Sequence, residues 1–321
     1  MMRYLVLICL CFVASCAPRG AFVMASGDAG TVQAVFVATN RYAPDGAGQA
    51  GLGVTRDARL RFGRVDISIP PGHKMGRIEW PGQGAPDPAR HFVAVGEAEY
   101  GSEVALLEAF GPAPEVVLFV HGYNVNHAEA VYRLAQIAHD FDADLPVIAY
   151  SWPSAGNPRG YVHDRDSVIF SRDGLERLLE ALTGDGRRVL LVGHSMGSQL
   201  VMEVLRQLSI SGRGAVLDGL SGVALISPDI DNEVFVQQAR RIRPFPEPFM
   251  LVTSARDRIL GLSAWLSVSP VRLGAIRDTE GLGGLPVSIV DLSEIEGGDA
   301  GGHSTAFTAP AAIRLLQGLG G

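Results

Sequence analysis

The chain has 321 residues, of which 47% are hydrophobic and 19% charged, and its formal net charge is −7. That apolar fraction can fill a large core, which excludes disorder for most of the length. Lys74 is the only lysine, so there is no basic stripe for phosphates, and this argues against nucleic acid as a partner. The three cysteines are Cys9, Cys11 and Cys16. A disulfide framework, a cysteine-ligated zinc and a cysteine nucleophile are therefore excluded for everything that follows.

Arg3 gives the chain a short positive start, and Tyr4 to Val13 form an apolar run. The run is too short to span a bilayer and has the length of a signal peptide. Val13-Ala14-Ser15-Cys16 follows: apolar, small, small, Cys. It resembles the lipobox of bacterial lipoproteins, with Val13 where Leu is more usual. The resemblance implies that residues 1–15 are removed and that Cys16 is acylated. The protein would then be lipid-anchored in the cell envelope, facing the periplasm. Ala17 leaves sorting to an outer membrane open. The alternative is an ordinary secretory signal cut after Ala25, giving a soluble secreted or periplasmic protein. Residues 16–30 lack a clear period and read as a tether, leaving 31–321 as the folded domain.

Val32 to Ala38 is β-rich and reads as the first strand. Arg61 to Ile69 alternates and stops at Pro70-Pro71, and Phe92 to Val95 is a short strand. Up to residue 111 the pattern predicts antiparallel β and loops. From residue 115 it changes. Apolar strands are predicted at Val116–Val120, Pro146–Tyr150, Val189–Val192, Val223–Ile226, Phe249–Val252 and Val287–Val290. Between them lie amphipathic helices. Asn126 can cap one, with Glu129 three residues on. Leu175, Leu178, Leu179 and Leu182 form the face of another. A closing helix is predicted from Pro310 to Leu316. Strands alternating with helices imply an α/β fold: a mostly parallel sheet with helices on both faces, here with an antiparallel N-terminal β extension.

Gly193-His194-Ser195-Met196-Gly197 is a G-x-S-x-G pentapeptide. In a chain with 39 glycines the pattern alone is weak. Its setting is specific, because an apolar strand enters it and an amphipathic helix leaves it. That is the arrangement of a nucleophile elbow. Ser195 needs a base, and the base needs an orienting acid. His303, after the last predicted strand, is the only histidine that follows Ser195. Asp257, after the Phe249–Val252 strand, and Asp229 and Asp231, after the strand before it, are the candidate acids; the resemblance of this elbow to that of α/β-hydrolases implies Asp257, which stands where they usually carry the acid. Arg256 and Arg258 fit either a site rim or a solvated face. The developing oxyanion needs backbone N–H donors. The amide of Met196 is one candidate. The amide of Tyr123, in the loop His121-Gly122-Tyr123-Asn124, is the other. His121 reads as a loop-stabilising residue and His194 as a filler of the elbow.

The pieces Val-Phe-Val-Ala-Thr-Asn-Arg (35–41), Phe-Val-His-Gly-Tyr-Asn (119–124), Tyr-Ser-Trp-Pro-Ser-Ala-Gly (150–156), Gly-His-Ser-Met-Gly (193–197) and Ser-Pro-Asp-Ile-Asp (227–231) resemble bacterial α/β-hydrolases of the uncharacterised kind, often lipoproteins. The resemblance implies a serine-hydrolase fold and leaves the substrate open. The short stretch between Ile226 and Phe249 excludes a large cap domain there. Residues 152–170, with Trp152, Ser154, Tyr161 and His163, and residues 259–285, with Trp265, are the remaining candidates for pocket walls. The reading is hydrolysis of a small acyl ester or thioester through an acyl-enzyme. Acyl transfer on the same triad, or a non-catalytic envelope interaction protein, are the alternatives. No cofactor and no metal are implied, and the sequence is silent on oligomeric state.

Overall fold

A computed structural model describes residues 19–82, 85–266 and 271–319. The signal-peptide and Cys16 readings fall outside these described residues. Nine strands form one sheet in the order β3-β2-β1-β5-β4-β6-β7-β8-β9. They are β1 (Thr31–Arg41), β2 (Arg56–Ile69), β3 (Val93–Tyr100), β4 (Glu115–Val120), β5 (Val147–Ser151), β6 (Arg188–His194), β7 (Leu220–Ile226), β8 (Phe249–Thr253) and β9 (Ser288–Asp291). β2 runs antiparallel to both β1 and β3, and every other pairing is parallel.

The helices are α1 (Glu103–Ala109), α2 (His127–Asp140), α3 (Tyr161–Phe170), α4 (Arg172–Gly184), α5 (Met196–Ile210), α6 (Gly214–Asp218), α7 (Asn232–Ala239), α8 (Arg258–Leu266), α9 (Thr305–Thr308) and α10 (Pro310–Gln317). They cover both faces of the sheet. Successive strand side chains point to opposite faces. Val116, Leu118, Val120, Ile148 and Tyr150 join one core with α4 and α5. Phe119, Val147 and Ala149 join the other with α2, α9 and α10. This two-sided burial is why the parallel strands are continuously apolar. α2 begins with a capping box: the Glu129 N–H donates to Asn126 Oδ1 at 2.9 Å and the Asn126 N–H donates to Glu129 Oε2 at 3.0 Å. Leu175, Leu178, Leu179 and Leu182 of α4 are fully buried. Each such burial removes about 1.5–3 kcal/mol of exposed apolar surface cost.

Three expectations change. The region before residue 111 contains a helix, α1, capped by Ser102, whose side chain accepts from the Ala105 N–H at 3.2 Å. The two stretches left as candidate pocket walls, for which the sequence predicts no helix, carry α3 and α8. Residues 19–25, expected as loose tether, are docked. The Ala94 N–H donates to Val23 O at 3.0 Å and the Ala25 N–H to Ala94 O at 2.9 Å. The connection after β7 holds only α7, with no cap domain. Among the described residues no helix is long and apolar enough to cross a membrane.

Candidate active site

Ser195 stands between β6 and α5 with φ 55° and ψ −125°, a strained conformation for a non-glycine residue. The surrounding backbone holds it there. Its N–H donates to Ile226 O at 2.9 Å, and its carbonyl accepts from the Asp229 N–H at 3.3 Å. The tight turn requires glycine two residues on. A Cβ on Gly197 would lie 2.3 Å from His121 O and 2.4 Å from Val120 O. One on Gly193 would lie 3.0 Å from Ser198 Cα.

His303 Nδ1 lies 2.7 Å from Asp257 Oδ2. The Asp257 side chain is fully buried, and its other oxygen, Oδ1, accepts the N–H groups of Ile259 at 2.9 Å and Leu260 at 3.0 Å. With both carboxylate oxygens engaged, the acid is fixed. Its bond to Nδ1 leaves Nε2 of the imidazole as the basic nitrogen. The His303 backbone is tied down as well: its N–H donates to Asp299 Oδ2 at 3.1 Å. His194 does more than fill the elbow. Burial, and then the nearby His303, lower its pKa to about 3, so it is neutral. Its Nε2 donates to the His303 carbonyl at 3.2 Å, with the two rings 4.9 Å apart. The residue before Ser195 thus grips the loop that carries His303.

The two alternative acids are occupied elsewhere. Asp229 accepts from Ser263 Oγ at 2.7 Å and pairs with Arg272 at 3.3 Å. Asp231 caps α7, accepting from Glu233 and Val234. Of the three carboxylates, Asp257 is the one against His303.

The loop after β4 approaches the serine closely. A Cβ on Gly122 would lie 2.8 Å from Ser195 Cβ. Among the described residues, the amides of Tyr123 and Met196 have no protein acceptor. Both are thereby free to receive an oxyanion, Met196 as the first N–H of α5. What holds this loop is a buried network that sequence patterning missed. Asp164 of α3 is fully buried. It accepts from the Asn124 N–H at 3.0 Å, Ser154 Oγ at 2.6 Å and the Ala155 N–H at 2.6 Å. Asn124 needs that support, because its φ is 58°. Arg41, at the end of β1, is also buried and donates to Ser151 Oγ, Gly53 O, Ser154 O and Val125 O at 2.9–3.1 Å. Burial lowers its pKa to about 9, against the opposing pull of Asp164 and Glu129, so it stays charged at neutral pH.

Trp152 and Ser154 are fully buried and back this loop. Trp152 stacks on His121 at 4.8 Å and its Nε1 donates to His121 O at 2.7 Å. Burial, and then Arg41, lower the His121 pKa to about 3, so it is a neutral supporting residue. Tyr161 sits edge-on to Tyr123 at 5.4 Å. The ring nitrogen Nδ1 of His163 lies 3.3 Å from Asp164 Oδ1. The Trp265 side chain lies outside what is described. A cavity of about 260 Å³ flanks the elbow, with mixed walls: Ile78, Trp80, Phe119 and Phe307 beside Glu129, Arg133, His194 and Ser304.

One group of possible metal ligands occurs among the described residues: His73, His139 and Asp140, with atoms within 4.8 Å of one another. His73 is already satisfied, by Glu79 Oε2 and Asp140 Oδ1, each at 2.8 Å. Burial disfavours its charge, but these two bonds outweigh burial and raise its pKa. The group reads as a charged clamp between the β2–β3 connection and α2.

Residues 106–318 match the family described as alpha/beta hydrolase of unknown function (DUF900). No curated protein matches the chain. Similar solved structures include a CIB-like hydrolase from Thermoplasma acidophilum, 18% identical over 65% of this chain and 87% of that one, with a TM-score of 0.38. A dienelactone hydrolase from Anabaena variabilis is 12% identical over 87% and 94%, with a TM-score of 0.43. A cutinase from Trichoderma reesei is 15% identical over 67% and 84%, with a TM-score of 0.33.

Proposed function

We propose, from the premise that the chain belongs to this family of alpha/beta hydrolases, that it is a serine ester hydrolase. Ser195 Oγ attacks the carbonyl carbon of an ester or thioester, and its proton passes to His303 Nε2. The tetrahedral oxyanion receives the amides of Tyr123 and Met196. Collapse expels the alcohol or thiol, which takes the proton from His303, and leaves an acyl-Ser195. Water, deprotonated by the same imidazole, then releases the acid. Asp257 holds the imidazole in the working tautomer and stabilises its cation. The observation that carries this reading is the 2.7 Å contact between His303 Nδ1 and the buried Asp257, beside a strained serine elbow. On the lipobox, Cys16 is diacylated on its thiol and the domain is held in the cell envelope.

A fluorophosphonate probe tests the reading, since it reacts with an activated serine. Labelling of the full chain and none of Ser195→Ala is expected, with hydrolysis of p-nitrophenyl esters lost in parallel. Labelling that survives in Ser195→Ala, or none in the native chain, overturns it.

A further inference from the structure

Residues 19–25 are built into the domain beside the candidate active site. Val23 and Ala25 pair with β3, and the Phe22 ring packs on His127 at 5.2 Å and Tyr132 at 5.7 Å. Nearer Cys16, the contacts move onto the loop that would hold the oxyanion. Arg19 donates to Asn124 Oδ1 at 2.9 Å and to the Asn124 carbonyl at 2.7 Å, and pairs with Glu129. Gly20 donates to Glu129 Oε1 at 3.1 Å and accepts from Asn126 Nδ2 at 2.8 Å. Gly20 also presses on Trp80, where a Cβ would lie 2.5 Å from the ring. Trp80 is a wall of the cavity that flanks the elbow.

Chain length turns this docking into an orientation. Three Cα–Cα steps, through Ala17 and Pro18, join Arg19 to Cys16, a reach of about 11 Å at most. A domain of this size has a radius of gyration of about 19 Å and is about 50 Å across. An anchor at Cys16 is therefore held on the same side of the domain as the site. Arg159 follows Pro158, whose carbonyl accepts from the Tyr123 hydroxyl, and Arg256 and Arg258 flank Asp257; all three arginines are exposed. Exposed guanidinium groups can meet anionic headgroups. Val162, next to Tyr161, is 72% exposed.

We infer that the anchored domain lies with the mouth of its active site on the bilayer surface and takes its acyl ester from the membrane. This rests on the readings of Cys16 as lipidated and Ser195 as nucleophile. The docked segment sets the orientation.

The test uses the full chain, processed in a bacterial host and reconstituted in 3:1 phosphatidylethanolamine/phosphatidylglycerol vesicles. The mature lipoprotein has no free thiol, so a single added cysteine can carry a fluorophore. Val162→Cys should be quenched by spin-labelled lipid, while Gly184→Cys, just before β6 at the far end of the sheet, should not. A Gly/Ser spacer of about 20 residues between Pro18 and Arg19 keeps the anchor and releases the orientation. It should lower turnover of a long-chain umbelliferyl ester in the vesicles at least fivefold and leave a soluble butyrate ester unchanged. Equal quenching at the two labels, or no effect of the spacer, overturns the inference. Mass spectrometry of the N-terminus separates the causes. An unacylated start sinks the lipoprotein reading and the orientation with it. An acylated Cys16 with no quenching at residue 162 sinks the orientation alone.

Discussion

Gly122→Ala is a one-methyl perturbation whose cost can be worked from the geometry. The added Cβ would stand 2.8 Å from Ser195 Cβ, 3.1 Å from His194 Nδ1 and 3.2 Å from His194 O. Carbon atoms at rest are about 3.5–4.0 Å apart. None of the three obstacles is the free end of a flexible side chain. Ser195 is fixed by its strained turn, and the His194 ring is buried against His303 and Phe307. The loop must therefore retreat, by about 0.7–1 Å. An oxyanion donor works at about 2.7–3.1 Å, so that retreat removes the Tyr123 amide from range. Loss of one such donor costs about 2.7–4 kcal/mol, or about 10²–10³ in kcat. Overpacking itself costs about 1–3 kcal/mol of stability, which a domain of this size survives. Steady-state kinetics on p-nitrophenyl butyrate, run beside a thermal melt, should show kcat down by that factor, KM nearly constant and a cooperative transition. A folded Gly122→Ala within threefold of the native kcat would refute the placement of the oxyanion site at this loop. Gly197→Ala is the contrasting case. Its Cβ meets two backbone carbonyls at 2.3 and 2.4 Å, and the expected result is failure to fold.

Asp257→Asn should lower kcat on the order of 10⁴, because an amide cannot hold the imidazole tautomer, while Asp229→Asn should act mainly on stability through Ser263 and Arg272. Kinetics showing the reverse order would exchange the two assignments. Asp164→Asn should cost about 1.5–3 kcal/mol for each hydrogen bond to the carboxylate that is lost and should lower kcat through the Tyr123–Asn124 loop. Denaturant unfolding and kinetics read the two effects separately, and a stability loss with native kcat would confine Asp164 to a structural role. His73→Gln reports the charged clamp. The His73 pKa is raised in the folded state, so its contribution is fully present below about 6.5 and is lost as pH rises through the raised value. The melting-temperature deficit of the variant should be largest near pH 6 and shrink toward pH 9, and a deficit growing with pH would contradict it.

The strands were legible because burial on two faces writes itself into the sequence. Val116 to Val120 and Val189 to Val192 are apolar throughout, and Val116, Leu118, Val120, Val189 and Leu191 meet one helix layer while Val117, Phe119 and Val192 meet the other. α1 and α3 left little such trace. α1 buries only Leu106, and α3 buries Asp164, Ser167 and Val168. An inward face made of a carboxylate, a hydroxyl and one valine has no hydrophobic period to detect. The docked segment 19–25 was missed for a related reason. Its bonds are mostly backbone and long-range, to Ala94, Asn124 and Asn126, and no local pattern encodes them.

The same division runs through the candidate site. The elbow is a local device, in which a strand, two glycines and a helix start specify the strained serine within five residues. Chain order then narrows the base to His303 and leaves three carboxylates, which only the fold separates. The oxyanion loop is the opposite case. Its pieces are visible in the sequence as fragments at 35–41, 119–124 and 150–156, each unexplained by itself. In the structure these fragments meet: Arg41 donates to Val125 and Ser154 carbonyls, and Trp152 braces His121. Asp164, from a helix with no apolar signature, accepts from Asn124 and Ser154. A buried arginine and a buried aspartate read as surface charges along the chain, because each becomes tolerable inside only when partners from distant segments arrive. The half of the site that would supply the nucleophile is thus local and easily read. The half that would stabilise the charge it creates is tertiary, and a variant in Arg41 or Asp164 should disable that half while the elbow keeps its shape.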